Sequence, residues 1–263
     1  QQKAGEPFFL YFAPVAVHEL VTPSERMKGT SKAGPYGDFI HDLDRSVGRI
    51  LDALDRLNFA DRTLVIFTSD NGGVVAQRSK SGSQKVAMDA GLAINGTLRG
   101  GKHDVWEGGF RVPFIVRWPG RVPAGTTCGQ MIGLVDMYAT LAAVVGEELS
   151  DSDTAAPDSF NVLPAFLDRP AESPLRPDMI LQSADGVYAI RSGPWKWIEG
   201  KPIERGRQTF GPNHPRRAQF KPQLYNLQDD PGETTDVSVQ HPDVVERLSA
   251  LLAQQRETGA TRN

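Results

Sequence analysis

The order of three apolar segments constrains this chain most. Residues 7–14, PFFLYFAP, form a continuous aromatic-rich run, the pattern of a strand covered on both faces. From about Tyr36 to Leu57, the residues Phe39, Leu43, Val47, Ile50, Leu54 and Leu57 recur at steps of four and three. That spacing places them on one helix face, with Asp42, Arg45, Arg49, Asp52 and Arg56 on the solvated side. Residues 63–69, TLVIFTS, read as a second buried strand. Strand, helix, strand is a βαβ unit, which predicts an α/β fold: a mostly parallel sheet flanked by helices.

The texture then changes along the chain. Residues 72–101 are rich in Gly, Ser and Lys, too polar to be core, and loops this long in a compact domain are usually functional. A strand follows at 112–119, then a helix from Val135 to Val145 closed by Gly146. Residues 147–178 are rich in Pro and Asp. Beyond them, short runs at 179–183, 187–192, 195–199 and 224–227 predict antiparallel strands, and a helix is expected over Pro242–Arg256. The expected organisation is therefore an α/β domain over 1–150, a crossover over 151–178, and a small α+β subdomain with an antiparallel sheet over 179–263.

Composition removes several function classes. Lys+Arg 29 against Asp+Glu 32 gives a net charge of −3, without the basic surplus of a sequence-independent nucleic-acid binder. The single Cys128 closes no intramolecular disulfide and belongs to no zinc-type cluster. The longest apolar stretch, Pro7 to Val17, is too short to span a bilayer.

Ligands of open α/β sheets bind beyond the carboxyl ends of the strands. The strand at 63–69 ends directly in Ser69-Asp70-Asn71-Gly72-Gly73. A carboxylate beside a carboxamide offers hard oxygen ligands, suited to Ca²⁺ or Mg²⁺; the plainer reading is a strand-to-loop turn. Lys102 follows two glycines that let a backbone approach a ligand closely, so its ammonium can meet an oxyanion; an exposed lysine on a glycine turn is the alternative. His18, just past the first apolar run, is placed to protonate a leaving group or is an ordinary surface residue. Glu107 and Arg111 are expected to form an ion pair beside the next strand. Asn95-Gly96-Thr97 fits a glycosylation sequon, with a glycine-supported turn as the other reading. The basic run Arg205–Arg217, with His214, is either a contact for an anionic saccharide or a solvated loop.

Taken together these segments resemble the sulfatase family, the formylglycine-dependent sulfuric ester hydrolases of the alkaline-phosphatase-like superfamily. The matching text is PFFLYFAP with His18, GPYGDFIHDLDRSVGRILDALDRL, TLVIFTSDNGG, LRGGKHDVWEGGFRVPFIVRWPG, DMYATLAAVVG and LYNLQDDPGETTDV. The resemblance implies that Asp70 and Asn71 are calcium ligands, with Asp70 also beside the nucleophile. It implies that Lys102 holds sulfate oxygens and assists the leaving oxygen, and that His18 contacts sulfate and serves as general acid. The family usually has Pro two residues after this histidine, where this chain has Leu20. The family's nucleophile, a formylglycine made from Cys or Ser in C/S-x-P-S-R, has no counterpart: Cys128 lacks the proline and arginine, and Val21-Thr22-Pro23-Ser24-Glu25-Arg26 has Val at the nucleophile position. The chain thus reads as the C-terminal portion of a sulfatase, inactive alone, with the nucleophile and the remaining calcium ligands expected upstream. The implied substrate is a sulfated small molecule or carbohydrate, and the implied location periplasmic or secreted. A related phosphate or phosphonate ester hydrolase, or a non-catalytic sulfatase-like binding protein, are the competing readings.

Overall fold

The computed structural model describes residues 6–75, 82–147, 149, 155–169, 173–200 and 221–261. They fall into two compact units, Gln1–Leu57 with Val75–Ile94, and Asn58–Val74 with Asn95–Asn263.

In the first unit, α1 (Gly34–Arg56) is the helix expected from the four-three spacing. Gly34 enters it at φ +67°, a left-handed conformation that glycine adopts without strain, and Pro35 presets the first turn. Asp38 is buried and accepts bonds from the backbone N–H groups of Gly29 (2.8 Å) and Ser31 (2.7 Å). Asp42, on the face expected to be solvated, accepts from Ser24 N and Ser24 Oγ, both at 2.7 Å. The two aspartates thereby pin residues 24–31 onto the helix. Phe39 and Leu54 are buried, while α2 (Ser83–Asp89), which the sequence did not announce, packs against α1.

The strand expected at 7–14 is not formed. Residues 6–14 carry no ladder bonds, and Phe9 and Tyr11 are 78% and 82% exposed. A doubly covered strand needs a neighbour on each side and a layer over each face; without them its aromatic side chains face solvent.

In the second unit, β1 (Val65–Thr68) pairs with β2 (Phe114–Arg117), with Val65 opposite Arg117 and Thr68 opposite Phe114. This pairing is antiparallel, so among the described residues the expected parallel neighbour of β1 is absent. Between the two strands lies α3 (Glu107–Phe110); after β2 come α4 (Met137–Val144) and α5 (Leu163–Phe166). Asp136, at the entry to α4, is buried and held by Arg176 through Nε and Nη2, while its oxygens also accept from Gly133 N and Phe160 N.

The expected antiparallel sheet follows as a meander: β3 (Asp178–Gln182), β4 (Tyr188–Ser192), β5 (Trp195–Ile198) and β6 (Gln223–Asn226). Its side chains alternate between faces with period two. Ile190, Trp197 and Leu224 meet α6 (Pro242–Thr258) through Val244, Leu248 and Leu252. Ala189, Ile198 and Tyr225 on the other face pack with Val105 and Trp106. The sheet therefore has α6 behind it and the 105–110 segment in front. That packing, from both sides, fixes the loop carrying Lys102.

Candidate active site

Two loops build the candidate site, and backbone bonds lace them together. β1 ends in the Ser69–Gly73 turn, which its own side chains close: Ser69 Oγ donates to Asn71 O (3.0 Å), and Asn71 Nδ2 to Gly72 O (2.9 Å). Asp70 is exposed and Asn71 half-buried. The Asn71 carboxamide oxygen, the atom a hard cation takes, is not part of that bond.

The second loop runs from Arg99 to Phe110. Gly72 N donates to Gly109 O at 2.9 Å, Lys102 N to Gly73 O at 3.1 Å, and Gly108 N to Arg99 O at 2.8 Å. These bonds demand glycine, because backbone lies directly on backbone. A Cβ on Gly72 would sit 1.7 Å from Gly108 O, and one on Gly108 would sit 2.4 Å from Gly100 O. Residues 101–104 form a closed turn, with Asp104 N donating to Gly101 O and Gly101 N to the buried Asp104 carboxylate. Asp70, Asn71 and Lys102 are thus carried by adjoining loops of one unit.

His18 belongs to the other unit. It is exposed in a turn closed by His18 N donating to Val15 O, and its Nδ1 lies 2.6 Å from Glu19 O. A carbonyl oxygen only accepts, so Nδ1 carries the proton in this bond.

The Lys102 loop is bolted to the antiparallel sheet by charged side chains, and Glu107 among them differs from its expected pairing. Arg99 lies over the Trp106 ring at 4.0 Å and donates from Nη1 to Tyr225 Oη and Glu233 O, both at 2.9 Å. Trp106 Nε1 (3.3 Å) and Tyr225 Oη (2.6 Å) both donate to Gln223 Oε1. Glu107 does not take Arg111 as its ionic partner. Its carboxylate meets Lys196 Nζ at 3.0 Å and Arg191 at 3.7 Å, because α3 turns Glu107 into the sheet face that presents Lys196. Lys196 is fully buried and also lies 2.9 Å from Glu233 Oε1, while Glu233 Oε2 accepts from Glu107 N at 2.6 Å. Burial pushes the Glu233 carboxyl above its ordinary range, against the opposing pull of Lys196 and the Glu107 N–H.

Asp70 and Asn71 supply oxygen donors of the kind Ca²⁺ prefers, but Ca²⁺ takes about six to eight oxygens. Among the described residues no three of His, Cys, Asp and Glu come together. The pair therefore fits such an ion as part of its shell. The basic run Arg205–Arg217, with His214, lies outside the described residues. Sequence reasoning missed Lys196, Glu233 and Asn95 as parts of this region. Asn95 carries only the sequon signal, although its side chain bonds both loops.

The sulfatase family model matches residues 1–147. An N-acetylgalactosamine-6-O-sulfatase of Bacteroides thetaiotaomicron is 38% identical over 249 residues, covering 94% of this chain and 47% of the relative. An N-acetylgalactosamine-6-sulfatase of Canis lupus familiaris is 33% identical, over 98% of this chain and 50% of the relative. A solved structure from work on glycosaminoglycan metabolism by Bacteroides thetaiotaomicron superposes with a TM-score of 0.81 at 36% identity, covering 95% of this chain and 50% of that one. The chain spans about half the length of these relatives. The family match runs unbroken through both laced loops and over more than half of the residues, and on that ground the chain belongs to the sulfatase family.

Proposed function

We propose that the protein of which these residues are part is a sulfuric ester hydrolase acting on a sulfated carbohydrate. The observation that carries this reading is the lacing of the Asp70–Asn71 turn to the Lys102 loop through Gly73 O and Gly109 O. It sets an ammonium-bearing loop against a pair of oxygen donors, an arrangement suited to stabilising the charge that develops during sulfuryl transfer. The substrate class follows the relatives, which are N-acetylgalactosamine-6-sulfatases.

In this reading the ester S–O bond breaks, an oxygen from water ends on sulfur, and the leaving alkoxide takes a proton. Lys102 neutralises the sulfuryl oxygens and the departing oxygen, and His18 is the general acid that the family resemblance implies. Asp70 and Asn71 would hold Ca²⁺ as part of its shell; when bound, that ion supplies Lewis-acid stabilisation of the charged sulfate oxygens. Asp70 would also help activate the nucleophile. The nucleophile, a formylglycine, is assigned upstream of these residues, so the 263 residues alone would give no turnover. Among the described residues no helix is long and apolar enough to cross a membrane; the proposed location is periplasmic or secreted.

The test is sulfate release from N-acetylgalactosamine 6-sulfate and from an aryl sulfate by the full-length protein, with Ca²⁺ and after chelation. Removing one such cationic donor typically lowers kcat by about 10²–10³-fold, the loss expected for Lys102→Ala. Undiminished release by Lys102→Ala, or faster turnover of the matching phosphate ester, refutes the reading.

A further inference from the structure

A side chain that touches both loops of the site is an uncharged one. Asn95 Oδ1 accepts from Gly73 N at 2.8 Å, and its Nδ2 donates to Gly73 O at 3.1 Å and to Gly100 O at 2.9 Å. Gly73 lies two residues after Asn71, and Gly100 two residues before Lys102. The same Gly73 O accepts from Lys102 N. One half-buried carboxamide therefore spans the gap from the oxygen-ligand turn to the ammonium-bearing loop, using its acceptor and both amide protons.

We propose that Asn95 is a positioning residue that sets Lys102 against the Asp70–Asn71 turn. No other side chain of this length does the same work. Aspartate keeps the acceptor for Gly73 N but turns a carboxylate oxygen onto the Gly73 and Gly100 carbonyls, where two N–H groups are needed. Alanine leaves Gly73 N, Gly73 O and Gly100 O without this partner, and groups stranded in a half-buried position favour opening of the loops. The same bonds explain the Asn95-Gly96-Thr97 run as a turn device: a sugar on Nδ2 would consume one of the protons that hold the loops. In its catalytic consequence the inference rests on the proposed sulfatase reading, and the experiment separates the two.

Asn95→Ala and Asn95→Asp are made in the full-length protein, alone and with Lys102→Ala, and kcat on 4-nitrophenyl sulfate is scaled to the folded fraction. A displacement near 1 Å can cost about 100-fold in rate. The expected result is a loss of about 10–100-fold in the Lys102 background and less than about 3-fold once Lys102 is gone, because an effect routed through Lys102 is non-additive with its removal. Equal losses in both backgrounds, or no loss, overturn the proposal. Amide exchange at Gly73 and Lys102 and inorganic sulfate affinity are measured alongside in Asn95→Asp. If the wild type releases no sulfate from either 4-nitrophenyl sulfate or N-acetylgalactosamine 6-sulfate, the functional reading fails on its own. Faster exchange in the variant then still upholds the clamp, and unchanged exchange overturns it.

Discussion

The same chemical change, glycine to alanine, is expected to have opposite signs at two places. At Gly72 the added Cβ falls 1.7 Å from Gly108 O and 2.7 Å from Gly108 C. Ordinary contact begins near 3.4 Å, so the β1 turn and α3 must part by about 1.7 Å. The obstacle is backbone on both sides, with no side chain to swing away. Overpacking of this kind costs about 1–3 kcal/mol, and the Gly72–Gly109 bond is lost with it, for about 1 kcal/mol more. Gly72→Ala should therefore destabilise by about 2–4 kcal/mol, or a urea midpoint lower by about 1–2 M at a typical slope. Trp106, Trp118, Trp195 and Trp197, all the tryptophans of the chain, lie in the same compact unit as Gly72. Their fluorescence during urea unfolding reports that unit directly. At Gly48, within α1, a Cβ meets nothing within 4 Å. There the change removes unfolded-chain freedom and should stabilise by about 0.5–1 kcal/mol, read from exchange of α1 amides. A Gly72→Ala midpoint indistinguishable from wild type would refute the backbone-on-backbone account of the site.

Two further outcomes concern the buried charges. Lys196→Met leaves Glu107 and Glu233 facing each other without their shared cation, and breaking a buried pair from one side typically costs about 3–5 kcal/mol, measurable as a lower thermal midpoint. Glu233→Gln tests the raised carboxyl pKa: the folded form holds its proton more tightly than the unfolded chain. The wild type's advantage over the variant is accordingly greatest below about pH 4.5 and declines as pH rises through the folded value. A difference that grows with pH would show the carboxyl to be lowered instead.

Much of this was legible where the signal is periodic and local. The spacing of Phe39, Leu43, Val47, Ile50 and Leu54 gave α1 to within a couple of residues, and the short alternating runs gave β3 to β6. α2 was not legible because seven residues with five small or polar positions carry too little periodicity. The apolar run at 7–14 misled for the opposite reason: its composition demands cover that only other strands and helices can provide. Asp70, Asn71 and Lys102 stand out by residue type and place, and the structure sets the two loops that carry them side by side. Asn95 and Lys196 do not stand out, since each acts through partners well removed along the chain: Gly73 for Asn95, and Glu107 and Glu233 for Lys196. A lysine between two tryptophans looks like an exposed strand position until the carboxylates that neutralise it are in place.

That neutralisation sets a rule for exchanging parts between relatives. Glu107 comes from the segment ahead of β2, whereas Lys196, Arg191 and Glu233 come from the antiparallel sheet and the turn after it. Two carboxylates face two cations here, so losing any one of the four leaves a net charge. A chimera that takes the sheet from another sulfatase would fold around this seam only if the incoming strand brings its own cation to Glu107. Compatibility between the two halves is thus decided by a buried sum of charges rather than by overall sequence similarity, and the place to cut is after the turn containing Glu233.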